Sequence, residues 1–287
     1  MRLEVRHWAA RRKLGSIKDI WPILPGSEKP PSWWKGWPEG KKFAFVLTHD
    51  VEGSFGLKQC SRLMHLEGDM GFRSSFNFIP EGEYTVSKDL RDELVRNRFE
   101  VGVHDLKHDG WLYKDREHFA ESAVAIRNYM REWNAVGFRS GFMLHNLEWL
   151  HDLQAEYDAS TFDTDPFEPQ PEGEGTIFPF WVAGNGGDAG YVELPYTLPQ
   201  DSTMFLVLKE RTPDIWKRKL DWIATHGGMA LVNVHPDYVD FESGRRSSTR
   251  FPVSLYREFL EYARNRHGDQ YWHALPSEVA EHVRKSL

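Results

Sequence analysis

FAFVLTHD, residues 43–50, is an apolar run that ends in three polar residues able to do chemistry. A run that is apolar at successive positions reads as a strand buried on both faces, as in a parallel sheet covered by helices. Working outward, a helix is expected from about Leu57 to Met70, then a strand in SSFNFI (74–79) and a helix in SKDLRDELVRN (87–97). FEVGVH (99–104) reads as a third strand. REHFAESAVAIRNYMREW (116–133) reads as a long helix with Phe119, Val124, Ile126, Met130 and Trp133 mainly along one side. VGFRS (136–140) and YDAST (157–161) read as strands, with a helix between them in NLEWLHDLQAE (146–156). Later come the apolar run TMFLVL (203–208), a helix around Ile215 to Ala224, and the buried strand MALVNVH (229–235). Strands alternating with helices mean βαβ units and a mainly parallel sheet, closed or open.

Several of these strands end in a reactive residue. The first ends at Asp50, with Glu52 just beyond; the third ends at His104, with His108 four residues on. The fourth ends at Arg139, the fifth has its reactive residue at Asp158, with Asp163 and Asp165 following, and the late strand ends at His235. In α/β sheets and barrels the carboxyl ends of the strands form the site, so these groups are expected in one cleft. His104 and His108 form H-x-x-x-H, which on a helical turn puts both imidazoles on one side, able to share a metal. Two imidazoles and a carboxylate from the Asp50/Glu52 pair make a usual catalytic zinc set. His49 is expected to point away from Asp50, because successive strand side chains alternate faces.

The flanks differ in character. Residues 1–40 hold five of the twelve tryptophans (Trp8, Trp21, Trp33, Trp34, Trp37) among five prolines, and read as an irregular arm on the surface of the domain formed by residues 41–287. Its tryptophans are expected to be buried against that domain, a sugar-stacking platform being the other reading. The Pro- and Gly-rich stretch at about 163–199 reads as a long insertion with short strands in TIFPFWV (176–182) and GYVELPY (190–196).

Composition narrows the function. Hydrophobic residues are 40% and charged residues 28%, which is globular rather than disordered. A formal net charge of -7 argues against a general nucleic-acid binder. Cys60 is the only cysteine, so the chain has no intrachain disulfide and no cysteine-cluster zinc site; it reads as a small helix residue. Basic residues interrupt the first twenty positions before any apolar stretch of about 7–15 residues, and no run reaches about 18. The expectation is a cytoplasmic protein with no membrane span.

The strand-end residues together resemble the NodB-homology polysaccharide deacetylases. That family's T-F-D-D motif is matched by Thr48-His49-Asp50-Val51, its H-[ST]-x-x-H by His104 to His108, and its R-x-P-[YW] by Arg139-Ser140-Gly141-Phe142. Its Asp-centred motif falls in Tyr157 to Ser160 or Phe162 to Asp165, and its late L-x-x-H falls in Leu231 to His235. The resemblance covers about Lys42 to Tyr238. It implies a distorted (β/α) barrel of about seven parallel strands and a metal-dependent hydrolase that removes N-acetyl groups from a carbohydrate. The metal ligands would be Glu52, His104 and His108, with Asp50 as base, His235 as acid and Arg139 holding Asp50 ionised. Asp163, or Asp158, would tune His235, and a backbone N–H near Gly141 and Phe142 would meet the substrate's oxyanion. Zinc is the default metal, with cobalt, nickel, iron and manganese also compatible with N/O ligands. Val51 stands where the family has a metal-binding Asp, Gly141 where it has Pro, and Asp105 where it has Ser or Thr. The reverse assignment, Asp50 on the metal and Glu52 as base, stays open. So do two other readings: a ureide or cyclic-amide hydrolase of the same fold, and a non-catalytic carbohydrate-binding protein.

Overall fold

A computed structural model of the chain describes residues 12–15, 17, 21–184, 190–242, 244 and 247–287. β1 (Phe43–Val51) is buried along its whole length. Its side chains divide by parity. Phe43, Phe45, Leu47 and Val51 join the large apolar cluster under the helices, while Ala44 and Val46 join a second cluster inside the curled sheet. The period of two that sorts them also sends Thr48 and Asp50 inward and His49 outward.

β2 (Ser75–Phe78), β3 (Glu100–His104), β4 (Gly137–Arg139), β5 (Tyr157–Asp158) and β7 (Gly190–Glu193) follow β1 side by side, each pair parallel. β8 (Met229–Asn233) pairs with the other edge of β1, Ala44 opposite Met229 through Thr48 opposite Asn233. β11 (Tyr271–His273) pairs with the first three residues of β1. Eight strands are therefore parallel, and β6 (Phe180–Ala183) adds an antiparallel edge on β7. The backbone N–H groups of Thr197 and Leu198 both donate to the carbonyl of Leu231, drawing the chain after β7 onto β8 and curling the sheet into a barrel. β9 (Val239–Asp240) and β10 (Phe251–Pro252) form a separate short pair.

Helices α1 (Ser54–Asp69), α2 (Lys88–Arg96), α3 (Arg116–Trp133), α4 (Asp214–His226) and α5 (Val253–His267) follow the helical patterning of the chain. Asp115 caps α3 through the His118 N–H, and Ser87 caps α2 through the Leu90 N–H, the role short polar side chains take before a first turn. α6 (Pro276–Ser286) packs on β1, β5, β6 and β7, with Val279, Ala280 and Val283 in the inner cluster.

Two expectations are corrected and the apolar run TMFLVL is assigned. NLEWLHDLQAE holds only a short 3-10 turn, Trp149–Leu153, closed at Gln154 in a left-handed conformation. TMFLVL lies in a wide helical turn, Ser202–Val207, opened by Asp201 at its start. The stretch read as an insertion gives β7 to the barrel, because Val192 and Leu194 pack inward with Tyr157. Of the amino-terminal tryptophans, Trp21 and Trp37 are buried against the barrel and Trp33 and Trp34 are half-buried. Trp8 lies outside the described residues.

Candidate metal centre and active site

Five strands, β1, β2, β3, β4 and β8, deliver polar side chains to one end of the barrel. His104 is the last residue of β3, and its Nδ1 faces the Arg139 carbonyl at 3.1 Å. A carbonyl only accepts, so Nδ1 carries the proton and Nε2 presents a lone pair. Burial lowers the His104 pKa, against the pull of Asp50. The spacing to His108 does not work through a helical turn. Asp105 and His108 both have left-handed φ, 57° and 55°, and the chain folds back in a tight loop that sets the two rings 4.9 Å apart. Glu52 stands opposite. Its Oε1 is 3.4 Å from His108 Nε2, and its Oε2 accepts from the Tyr238 hydroxyl. Ligand atoms of Glu52, His104 and His108 lie within 4.8 Å of one another. The Nε2 atoms of both histidines are buried and make no hydrogen bond, which is costly unless something else is coordinated there. Two bare imidazole nitrogens and one carboxylate suit a divalent cation with open positions for water and substrate. Burial would raise the Glu52 pKa, but His235 and His108 beside it bring it down to about 2.

The segment after β8 holds Glu52 in place. Asp237 takes the backbone N–H of Glu52 at 2.8 Å and of Gly56 at 2.9 Å, capping α1. A Cβ on Gly56 would lie 2.1 Å from the Asp237 carboxylate, so that approach requires glycine. A similar pressure explains the departures in the other motifs. Asp105 accepts the Gly141 N–H at 3.1 Å, and a Cβ at 141 would sit 2.4 Å from that carboxylate oxygen. The aspartate at 105 and the glycine at 141 therefore go together. Phe142 follows with φ 56° and stacks on the His108 ring at 4.4 Å.

Asp50 is buried and fully engaged. Asn77 donates to Oδ1 at 2.9 Å, Asn233 donates to Oδ2 at 2.7 Å, and Arg139 Nη1 stands 3.5 Å from Oδ2. Burial would raise its pKa; the charges of Arg139, His104 and His235 outweigh that and hold it well below the usual carboxylate range. Arg139 is itself pinned by the Ala159 carbonyl and the Thr48 hydroxyl. His235 Nδ1 meets Asp201 at 2.6 Å, and its backbone N–H donates to the same carboxylate. Its Nε2 is left facing Glu52 at 3.7 Å. Burial works against the imidazolium, yet Asp201 and Glu52 raise the pKa to about 10.

The structure thus brings together Asp50, Glu52, His104, His108, Arg139 and His235, with Gly141 and Phe142 at the rim. Neither aspartate expected beside His235 is bonded to it. Asp163 is ion-paired to the buried Lys219 of α4, which also donates to the Pro22 carbonyl. Asp158 bonds the backbone N–H and hydroxyl of Ser160, on the face of β5 opposite Tyr157 and Ala159, which point into the barrel. Period two puts Asp158 on the wrong side. The residue that holds His235 is Asp201, whose signal in the sequence was a polar pair, Gln200-Asp201, opening an apolar run. Asn77 and Asn233 also escaped notice. Asn77 stands between two phenylalanines of β2, and Asn233 is the polar residue of an otherwise apolar β8, two residues before His235 on the same face.

Asp50, Glu52, His104, His108, Phe142 and His235 line one cavity of about 530 Å³, within the range of small-molecule sites. No family model matches the chain, and no curated protein does. Solved structures do. The chain is similar to a Mycobacterium smegmatis protein whose name assigns it to the polysaccharide deacetylases, with 21% identity, a TM-score of 0.66, and coverage of 89% of this chain and 95% of that one. It is similar to the chitin deacetylase of Colletotrichum lindemuthianum, with 13% identity, a TM-score of 0.52, and coverage of 87% and 92%. A 4-alpha-glucanotransferase from Thermococcus litoralis matches at 12% identity and a TM-score of 0.54, over 84% of this chain and 40% of that one. The chain has the NodB-type deacetylase fold, a distorted barrel of mostly parallel strands. The third match carries a different activity on a similar fold, so function has to be argued from the site.

Proposed function

We propose that the protein is a metal-dependent deacetylase that hydrolyses an N-acetyl group on a carbohydrate. The observation that carries this reading is the pair of buried Nε2 atoms that face Glu52 and make no hydrogen bond, next to an Asp50 carboxylate held from three sides. Glu52, His104 and His108 would hold the cation. When bound, it would polarise an acyl carbonyl and acidify a water molecule. Asp50 takes the proton of the attacking water. Asn77, Asn233 and Arg139 fix its carboxylate so that little reorganisation is needed at that moment. The Gly141 N–H is already spent on Asp105, so the Phe142 N–H is the backbone donor left for the oxygen that gains charge. His235 gives the leaving nitrogen a proton from Nε2, since an amine departs poorly as its anion. Asp201 keeps the ring turned for that transfer, in the place the sequence reading gave to Asp163.

The test is acetate release from N-acetylated saccharides by the zinc-loaded full chain, with ammonia release from ureides as the control arm. Asp50→Asn should retain the metal and lose turnover by about 100-fold or more. Wild-type turnover in that variant would remove Asp50 as the base.

A further inference from the structure

The cavity does not end at the groups used above. Part of its wall comes from the segment after β5, where Phe167 and Glu168 stand between Pro166 and Pro169. Glu168 has no part in the proton transfers. Its Oε1 accepts from the Tyr196 hydroxyl at 2.8 Å and from Gln200 Nε2 at 2.6 Å. Its Oε2 takes no hydrogen bond among the described residues. The Tyr196 oxygen is also 3.0 Å from Asp165 Oδ2. A phenol has one proton and can donate to only one carboxylate. The second contact needs a proton on one of the two acids. Burial raises the pKa of both, that of Asp165 well up, and Asp165 is the more deeply buried of the two. With that proton on Asp165, Tyr196 donates to Glu168, and Glu168 is left as an acceptor. Gln200 ties this group to the catalytic end. Its Oε1 accepts from Asn233 Nδ2 at 3.2 Å, and that amide also donates to Asp50.

We propose that Glu168 is a specificity-determining residue: its free carboxylate oxygen accepts a ring hydroxyl of the N-acylated sugar whose acetamide lies at Asp50 and His235. The proposal rests on the deacetylase reading for the orientation of the sugar. The rest of the lining suits a pyranose, with Phe142, Phe167 and Val207 available to its C–H face and Ser202 and Thr203 to its hydroxyls. A bound sugar shuts water away from Glu168, so a ligand without the matching hydroxyl leaves a buried acceptor bare. Sites built to bond a hydroxyl reject the analogue that lacks it.

The experiment is calorimetric binding of N-acetylglucosamine and its 3-, 4- and 6-deoxy analogues to the zinc-loaded full chain, with acetate release recorded in parallel. Removal of one particular hydroxyl should weaken binding to the wild-type protein by about tenfold or more. In Glu168→Ala the same removal should matter less than about twofold, and Glu168→Gln, which keeps an acceptor in place, should restore discrimination. A uniform loss across all four sugars in both variants would make Glu168 structural and overturn the proposal. So would unchanged discrimination in Glu168→Ala, or no binding of any sugar by the wild-type chain. Discrimination that depends on Glu168 without any acetate release would sink the deacetylase reading and leave the subsite standing. Acetate release with discrimination indifferent to Glu168 would do the reverse.

Discussion

Tyr238 ties down one oxygen of Glu52 and leaves the other turned to the histidines. In metal sites a hydrogen bond of that kind orients the ligand, and losing it costs roughly 10–100-fold in metal affinity. Tyr238→Phe should therefore weaken zinc binding by about that factor, read by chelator competition, and leave the melting temperature of the metal-free protein nearly unchanged. Unaltered affinity would mean that Glu52 is held by its backbone alone, through Asp237. The residues with chemistry were legible because they stand at strand ends, where Asp50, His104, Arg139 and His235 all have the parity that points inward. Asp201 was not legible. It sits 34 residues before its partner, at the mouth of a wide turn whose apolar sequence imitates a strand.

Four elements meet at Glu67 of α1, which has no exposed surface. His49 of β1 lies 2.8 Å away, and Ser74 before β2 and Tyr256 of α5 both donate to it. Burial opposes the charge of Glu67, but His49 and these hydrogen bonds win, and its pKa lies below the ordinary glutamate value. A depressed carboxylate pKa adds stability above the unfolded value of about 4.3, and that stability fades as pH falls through the lower folded value. Glu67→Gln should cost about 2–4 kcal/mol at pH 7 in urea unfolding, and the gap to wild type should narrow below about pH 4. A gap that stays constant with pH would show that the charge of Glu67 does not matter. His49 was expected to be structural from strand alternation, and its outward bond to α1 agrees with that parity. Its partner could not be read, because α1 carries two acids, Glu67 and Asp69, and only the packed angle of the helix selects one.

At the scale of the whole molecule, the amino-terminal arm spans the barrel, with Trp21 edge-on to Phe167 of the cavity wall and Trp37 at the end where β8 begins. Trp37 is 6% exposed and donates from Nε1 to the Gly227 carbonyl, just before β8, while its ring stacks on His282 of α6. Trp37→Ala should destabilise the fold by about 3–5 kcal/mol in chemical unfolding while leaving metal affinity intact; a smaller loss than about 1 kcal/mol would mean the arm is not part of the core. Alternation of strand and helix made the parallel barrel legible, and five motifs in order made its family resemblance legible. The closing contacts were not, because β7 lies in a Pro- and Gly-rich stretch whose pairing with β5 depends on the curl of the sheet. Among the described residues no helix is long and apolar enough to cross a membrane. The central claim is that Glu52, His104 and His108 bind a cation despite Val51. The most direct test is elemental analysis of the full chain, purified without chelator and incubated with zinc, beside the His104→Ala/His108→Ala double variant. The account predicts about one metal ion per wild-type chain and none in the double variant. A wild-type chain that stays empty after zinc, or a double variant that holds as much metal, would contradict it.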